Sequence, residues 1–548
     1  MFSHLILIVA IALPLSSFCQ SKYIIYFRDK TEQLTQYRAE DLFTPASVGR
    51  RQLNAVGLDY YDLPVSHEYL DSLRKSCRII NVSRWLNAAL IETNLSAEDI
   101  SGKFPFVQKT DRIGKSTVSS IKKFDIMPAK WQMPPEKGSR SLPSYGHAKK
   151  QNLQIGTDCL HSQGYLGDSV IIAVLDAGWP GADTIPAFDS LHNDNRVIDT
   201  YNFLDMDSMV YQKFWHGTLV TSLMAANYPD SMVGTAPHAK YMFYITEDVS
   251  VEVHQEEYNL ILGLERADSM GAQVVSISLG YFVFDTLEGD YTYADMDGHT
   301  TICSQGIQIA TGNGMIVVAA AGNSGPGHIG TPCDGDSMLC VGATDTFNVI
   351  AGFSSVGPSY DGRVKPDISC VGKHAAYAGT SGNFGYGNGT SFATPLSAGM
   401  VACLVQAHPN RTAQEIIQSV RESADRFNNP DSLYGYGIPN ACIADSILTV
   451  LDWQDTVVFN PHITNTTEMI NVYPNPGDGL ISIRSSDGYV TKIEVYGTDG
   501  CFIREINYMP SKMLRIDLKS LPDGLYMLGI STSKKKKVFK PFSKTRYN

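Results

Sequence analysis

The middle of the chain, from about residue 146 to 452, alternates short apolar runs with longer stretches of helical period. The runs at 170–175, 274–277 and 315–321 are apolar or small at nearly every position. Strands that are apolar on both faces are typical of a parallel sheet covered by helices on each side. Residues 260–270 are predicted to form a crossover helix. We therefore expect an α/β domain built on a parallel sheet.

The region before this domain has a different pattern. Residues 20–115 combine strand-like runs at 23–27 and 88–92 with a charged helical segment near 68–75, which indicates a small α+β domain. Residues 116–145 are rich in Ser, Lys, Pro and Gly and have no sustained apolar period. They are predicted to form an exposed linker that proteases reach easily.

The last 80 or so residues, 468–548, return to short alternating strands separated by turn signals at 474–477, 498–500 and 521–524. This pattern predicts a small β-sandwich.

The first residues, 1–19, are typical of a signal peptide. An apolar run at 5–15 is followed by small residues and a plausible cleavage site after Cys19. The run is too short to span a bilayer, and no later segment reaches that length, so no transmembrane segment is expected. A lipoprotein acylated on Cys19 is the alternative.

Charge and cysteine content narrow the possibilities. The net charge is −12, from 56 acidic and 44 basic residues, which argues against a nucleic-acid partner. Export permits disulfides among the ten cysteines, and Cys333 and Cys340, on either side of a short acidic loop, are the best candidate pair. Cys403 lies in an apolar helical run and is expected to be a buried free thiol. The chain has no CxxC spacing, so a zinc site has little support.

Three segments of the middle domain carry the residue types that nucleophilic hydrolysis requires. Asp176 ends an apolar strand, where parallel sheets place their sites. His216 opens a helix of small residues, and the adjacent Gly217 allows close backbone approach. Ser391 follows a glycine-rich turn at the start of a long apolar helix, whose first amides favour negative charge near Oγ. Taken alone, Asp176 is more typical of a helix or turn cap and His216 of an ordinary surface or core histidine, and a single glycine-rich serine turn is weak evidence.

Together these segments resemble the Asp, His and Ser boxes of the subtilisin-like serine peptidases, in the order known for subtilisin. Further segments match the same family in order. They are 234–240, Ser278-Leu279-Gly280, Ala320-Ala321-Gly322-Asn323, 353–358 and 365–367. The resemblance spans most of residues 146–452 and implies a subtilisin-like fold.

The resemblance also implies the roles of the site residues. Ser391 would attack a peptide carbonyl, His216 would transfer the proton, and Asp176 would orient the imidazole. The Asn323 amide and the Ser391 N–H would bind the oxyanion. Polypeptide substrates would lie between two substrate-binding segments, Ser278, Leu279 and Gly280 on one side and Ala320, Ala321 and Gly322 on the other. These pocket residues are small and specify no side-chain preference.

No cofactor is expected for the chemistry, although members of this family often bind structural Ca²⁺. The acidic stretch 281–301 contains Asp285, Glu288, Asp290, Asp295 and Asp297. It is interpreted as either a calcium site or a solvated loop, and it lacks a complete ligand spacing.

The flanking domains resemble known modules more loosely. Arg50-Arg51 and the segments 62–65 and 83–87 resemble a Bacteroidetes-type prodomain, which implies a temporary inhibitor removed by cleavage in the linker. A permanent accessory domain is the alternative. The segment 472–476, the turn at 524–526 and the lysines at 534–537 and 540 resemble a type IX secretion sorting domain. This resemblance implies contact with the secretion machinery and a secreted or cell-surface location. A carbohydrate-binding or structural β-domain is the alternative.

Two other functions compete with a secreted serine endopeptidase. A catalytically inactive subtilase-like protein would bind peptides without cleaving them, but all four catalytic positions are filled. An esterase or lipase would carry a Gly-x-Ser-x-Gly elbow and the order Ser, Asp, His, which this chain does not have.

Overall fold

The computed structural model describes residues 21–114, 144–285, 289–458, 470–473, 479–485, 489–497, 502–533 and 537–544. The predicted signal peptide and nearly all of the predicted linker lie outside the described residues.

The N-terminal domain is a four-stranded antiparallel sheet, in the order β2-β3-β1-β4, with helices against it. Its strands are β1 (Ser21–Phe27), β2 (Arg78–Ser83), β3 (Ala88–Thr93) and β4 (Val107–Ile113), and its helices are α1 (Ala39–Leu42), α2 (Pro45–Leu53), α3 (His67–Arg74) and α4 (Ala97–Lys103).

The two faces of this sheet contact different partners, because successive side chains of a strand point to opposite faces. Tyr23 and Ile25 pack against the domain's own helices. Ile24 and Leu90 belong to a core cluster that also contains Tyr258 and Leu262 of the middle domain. The N-terminal domain therefore packs against the middle domain through an apolar sheet face.

The middle domain contains a seven-stranded parallel sheet in the order β13-β12-β11-β10-β5-β9-β6, which confirms the predicted fold class. Its strands are β5 (Ile171–Asp176), β6 (Val197–Asn202), β7 (Asn227–Tyr228), β8 (Met232–Val233), β9 (Lys240–Ile245), β10 (Val274–Ile277), β11 (Ile316–Ala320), β12 (Leu339–Thr344), β13 (Ile368–Val371), β14 (Lys373–Ala378) and β15 (Phe384–Asn388). Its helices are α5 (Lys149–Gln154), α6 (Thr157–Ser162), α7 (Asp189–Asn193), α8 (His216–Ala225), α9 (His254–Met270), α10 (Ile302–Gly312), α11 (Thr390–Ala407), α12 (Ala413–Glu422) and α13 (Ala441–Val458).

Alternate residues of β5 enter two separate cores, which explains why the strand is apolar throughout. Ile172 and Val174 pack in the cluster that contains α8 and α11 residues. Ala173 and Leu175 pack in the cluster that contains α9 and α10 residues. The sheet is therefore covered by helices on both faces, as predicted.

Helix α11 is the one helix among the described residues whose length and hydropathy would allow it to cross a membrane. Its hydropathy is marginal, and 83% of the 18-residue window lies buried inside the protein. It packs as a core helix of the middle domain.

Two disulfides are present among the described cysteines. Cys333 is bonded to Cys340, and Cys159 in α6 is bonded to Cys442 in α13. The second bond joins residues 283 positions apart and was not predicted. Cys403 is a buried free thiol, as predicted.

The C-terminal domain consists of two antiparallel sheets around a common apolar core, as expected of a β-sandwich. The order β16-β17-β20 forms one sheet, and β19-β18-β21-β22 forms the other. The strands are β16 (Ile470–Tyr473), β17 (Leu480–Ser485), β18 (Val490–Tyr496), β19 (Phe502–Ser511), β20 (Met513–Asp517), β21 (Gly524–Thr532) and β22 (Lys537–Lys544).

Buried ion pairs hold the N-terminal domain against helix α9. Asp268 of α9 accepts from Arg50 and, at 2.7 Å, from Arg51. Arg51 also forms a bidentate pair with Asp62, at 2.8 and 3.0 Å. One turn earlier in α9, the Glu265 carboxylate accepts from the Ser83 hydroxyl. Since these charges are buried, removing Asp268 takes a counter-charge from both arginines, and Arg51 keeps only Asp62.

Asp268→Ala is therefore expected to weaken the attachment of the N-terminal domain by about 10²-fold or more, because two buried guanidinium groups lose a carboxylate. A site for a sequence-specific protease, placed between residues 115 and 143, allows the chain to be cut there. Gel filtration of the cut protein then measures whether the two parts stay together. Asp71→Ala, which breaks an exposed pair with Arg74, is the control and should leave the complex intact. Equal retention in both variants would contradict this account.

Candidate active site

The predicted site residues lie at the carboxyl edge of the parallel sheet. In the strand register, Leu175 and Ala319 both lie beside Ile277. The next residue of each of these three strands therefore belongs to one row across the edge of the sheet. That row consists of Asp176, Ser278 and Ala320. The carboxyl ends of parallel strands are where open α/β sheets bind their ligands.

Asp176 and His216 form a buried pair at this edge. The Nδ1 atom of His216 lies 2.9 Å from each oxygen of the Asp176 carboxylate. Asp176 Oδ1 also accepts from the N–H of Ala177 at 2.7 Å, which fixes the carboxylate. The contact suits a proton on Nδ1, between the ring and the carboxylate, and Nε2 is the ring nitrogen on the side away from Asp176.

The glycine that follows His216 is needed for close packing. A Cβ atom on Gly217 would lie 2.4 Å from the carbonyl oxygen of Gly178 and 2.8 Å from the Trp179 ring. Helix α8 therefore begins directly against the turn that follows Asp176. This contact is the close backbone approach that the sequence suggested.

Ser391 lies in the first turn of α11, and α11 packs in the same core cluster as the His216 helix, α8. The Oγ atom of Ser391 donates to the carbonyl of Ser278 at 3.3 Å, and the Ser278 hydroxyl donates to the carbonyl of Ser391 at 2.9 Å. Pro395 lacks the N–H that would otherwise reach the Ser391 carbonyl within the helix. The missing helical hydrogen bond therefore frees that carbonyl for Ser278.

Two N–H donors converge beside Ser391. The Asn323 Oδ1 atom accepts from the backbone N–H of Thr390 at 2.9 Å and from its hydroxyl at 3.1 Å, so the amide nitrogen points the other way. A Cβ atom on Gly389 would lie 3.6 Å from Asn323 Nδ2 and 3.7 Å from the backbone nitrogen of Ser391. Both donors therefore border the same small space, which suits a developing oxyanion.

A cavity of about 530 Å³ opens next to Ser391. Every predicted substrate-binding residue lines it, on two opposite segments: Ser278, Leu279, Gly280, Ala320, Ala321 and Gly322. Asn323 and Ser391 also line it. The structure thus brings the predicted pocket residues, the amide donor and the serine together around one cavity.

Two glutamates of this cavity were missed by the sequence analysis. Glu247 and Glu252 follow strand β9, and both line the cavity. Glu247 accepts from the hydroxyl of Tyr281 at 2.9 Å, and burial together with this carboxylate holds the pKa of Tyr281 well above its usual range. An acidic residue shortly after a buried parallel strand was the signal that could have found Glu247.

The acidic stretch 281–301 uses its described carboxylates to bind nearby backbone. Asp290 accepts from Phe284 N, Asp295 accepts from Thr292 N, and Asp297 accepts from two amides. Glu288 lies outside the described residues. Among the described residues, the carboxylates that lie close enough together to hold a metal ion are outside this stretch. They belong to Glu247, Glu252 and Glu256.

Three family profiles match separate parts of the chain. The Subtilase family matches residues 167–437, and the Peptidase S8 propeptide domain of Bacteroidota matches residues 22–126. The Secretion system C-terminal sorting domain matches residues 471–542.

Known subtilisins align with the middle of the chain. Subtilisin NAT of Bacillus subtilis subsp. natto is 31% identical over 295 residues, which are 52% of this chain and 68% of that protein. Subtilisin E of Bacillus subtilis strain 168 is 30% identical with the same coverage. Subtilisin Savinase of Lederbergia lenta is 30% identical over 282 residues, 51% of this chain and 92% of that protein. Among solved structures, the prenylagaramide maturation protease PagA aligns at 25% identity with a TM-score of 0.43, over 54% of this chain and 98% of that one.

The subtilisin-like α/β fold, the family profile and the similarity to subtilisins agree with one another. The chain belongs to the subtilase family of serine-type endopeptidases.

Proposed function

We propose that this chain hydrolyses peptide bonds through an Asp176, His216 and Ser391 triad and an acyl-enzyme intermediate. The observation that carries the proposal is the convergence of the Asn323 amide and the Ser391 N–H beside the serine, at the mouth of the cavity. A serine with two preorganised donors is suited to acyl transfer, because the donors stabilise charge that appears only in the transition state.

In the first step, Ser391 Oγ attacks the substrate carbonyl while His216 accepts the hydroxyl proton at Nε2. Asp176 keeps the Nδ1 proton in place and stabilises the imidazolium. The carbonyl oxygen becomes an oxyanion in the space beside Gly389. His216 then protonates the leaving amine, and the bond to nitrogen breaks. Water repeats the sequence on the ester and releases the acid product.

The substrate would lie extended between the segments Ser278–Gly280 and Ala320–Gly322. Both segments continue sheet strands, so their backbone groups can pair with an extended peptide as in β-augmentation. The residue on the acyl side of the scissile bond would place its side chain in the cavity.

The flanking domains support a secreted zymogen. The match to a Bacteroidota S8 propeptide and the buried contacts to α9 suit a temporary inhibitor that is removed by cleavage within the linker at 116–145. The C-terminal match suits export through a secretion system to the cell surface or beyond, after a signal peptide at 1–19. The proposed boundaries are 20–115 for the prodomain, 146–452 for the peptidase domain and 468–548 for the sorting domain.

Ser391→Ala is expected to lower casein hydrolysis by about 10⁶-fold, the size of the loss when the nucleophile of subtilisin is removed. It should also leave the chain uncut in the linker, because the proposed maturation depends on the same serine. Fluorogenic casein and N-terminal sequencing of the main product measure both effects. Ser397→Ala, in the same helix and outside the cavity, is the control.

If wild type and Ser391→Ala are equally inactive after the N-terminal domain has been removed, the proposal fails. The chain would then be the inactive, peptide-binding relative.

Asn323→Ala should lower kcat by about 10²–10³-fold with little change in KM, because it removes one donor to the oxyanion and not a contact to the bound substrate. The size is that found for the corresponding loss in subtilisin. Steady-state kinetics on a peptide substrate measure both constants. Asn383→Ala, an exposed asparagine in a turn, is the control. A loss below tenfold would mean that the Asn323 amide does not stabilise the transition state.

A further inference from the structure

The cavity beside Ser391 is lined by several carboxylates. Among its described lining residues, the carboxylates are Glu247, Glu252 and Asp285, and His328 is the one other titratable group apart from Tyr281. These lining residues include neither lysine nor arginine. A substrate side chain that enters this cavity therefore meets at least three acidic groups.

The acidic groups belong to two segments that are bound to each other. The backbone N–H of Glu252 donates to Asp285 Oδ2 at 3.2 Å. Tyr281 follows the substrate-binding segment and donates its hydroxyl to Glu247, which is 3% exposed. The acidic wall, defined as Glu247, Glu252 and Asp285, is thus a fixed part of the substrate cavity.

A neighbouring glutamate has a structural role instead. The Glu256 oxygens accept from the backbone N–H groups of Asp248 and Val253, at 2.9 and 3.1 Å, which caps the start of α9. Glu256 is not among the residues that line the cavity. The carboxylate oxygens of Glu247, Glu252 and Glu256 nevertheless lie within 4.8 Å of one another. A cationic side chain placed beside ionised carboxylates is attracted to them.

We propose that the acidic wall makes this peptidase select a lysine or arginine side chain on the acyl side of the scissile bond. The inference rests on the proposed function and adds its substrate class. The acidic wall is placed to contact a substrate, because Ser391 and Asn323 line the same cavity. A cationic side chain would form charge-assisted hydrogen bonds with the glutamates, which are about twice as strong as neutral ones.

The preference should be visible as a ratio of kcat/KM. Four sets of peptides measure this ratio on the matured wild-type enzyme. Each set varies one of the four residues before the cleaved bond, and the varied residue is Arg, Lys, Gln, Leu or Glu. At one of these positions Lys and Arg should exceed Gln by about 10²-fold, the size expected for hydrogen bonds to charged groups. Glu should be the poorest residue there.

The double variant Glu247→Gln, Glu252→Gln should bring the ratio of basic to neutral substrates close to one. Glu422→Gln, a change of charge on the surface helix α12, is the control and should keep the wild-type ratio. If the wild-type enzyme cleaves the peptides without any preference for basic residues, the inference is wrong. This wild-type measurement tests the inference even if the double variant does not fold. Retention of the preference in a folded double variant also overturns it.

A divalent cation is the competing occupant of the acidic wall. The peptide series is therefore repeated with added Ca²⁺ and with a chelator. If Ca²⁺ abolishes the basic preference and both glutamine substitutions abolish Ca²⁺ binding, the wall is a metal site and the inference is wrong. Failure of the proposed function has a different signature, since no peptide would then be cleaved and Ser391 would not react with a fluorophosphonate.

Discussion

The site depends on the in-register parallel pairing of β5, β10 and β11. This pairing places Asp176, Ser278 and Ala320 side by side where the three strands end. A shift of one residue in β10 would turn Ser278 to the opposite face and remove its contacts with Ser391. The apolar residues that fix the register lie in two cores, so the geometry of the site rests on the packing of both helical layers.

Helix α9 links the substrate cavity to the N-terminal domain. Its last turns carry Glu265 and Asp268, which hold that domain through buried contacts. The segment just before its first residue carries Glu252, which belongs to the acidic wall. The helix also packs beneath β5 in the same cluster as Leu175. One rigid element thus contacts the proposed inhibitor, the sheet and the proposed specificity residues.

Much of this arrangement could be predicted from the sequence because it follows from local pattern. The apolar runs predicted the parallel strands, and Asp176, His216 and Ser391 stood at strand or helix ends. Contacts between distant segments could not be predicted this way. The Cys159–Cys442 bond joins residues 283 positions apart. The hydrogen bond from the Ser278 hydroxyl uses the Ser391 carbonyl, which lacks its helical donor because residue 395 is proline. The acidic wall likewise combines Glu252 and Asp285 from separate segments.

We propose that Asp176, His216 and Ser391 act as one nucleophilic unit. The most direct test is the rate at which a fluorophosphonate labels the matured enzyme, with the labelled residue identified by peptide mass spectrometry. We expect rapid labelling on Ser391 alone, and labelling slower by several orders of magnitude in His216→Ala and in Asp176→Asn. Labelling of another serine, or equal rates in all three proteins, would contradict it.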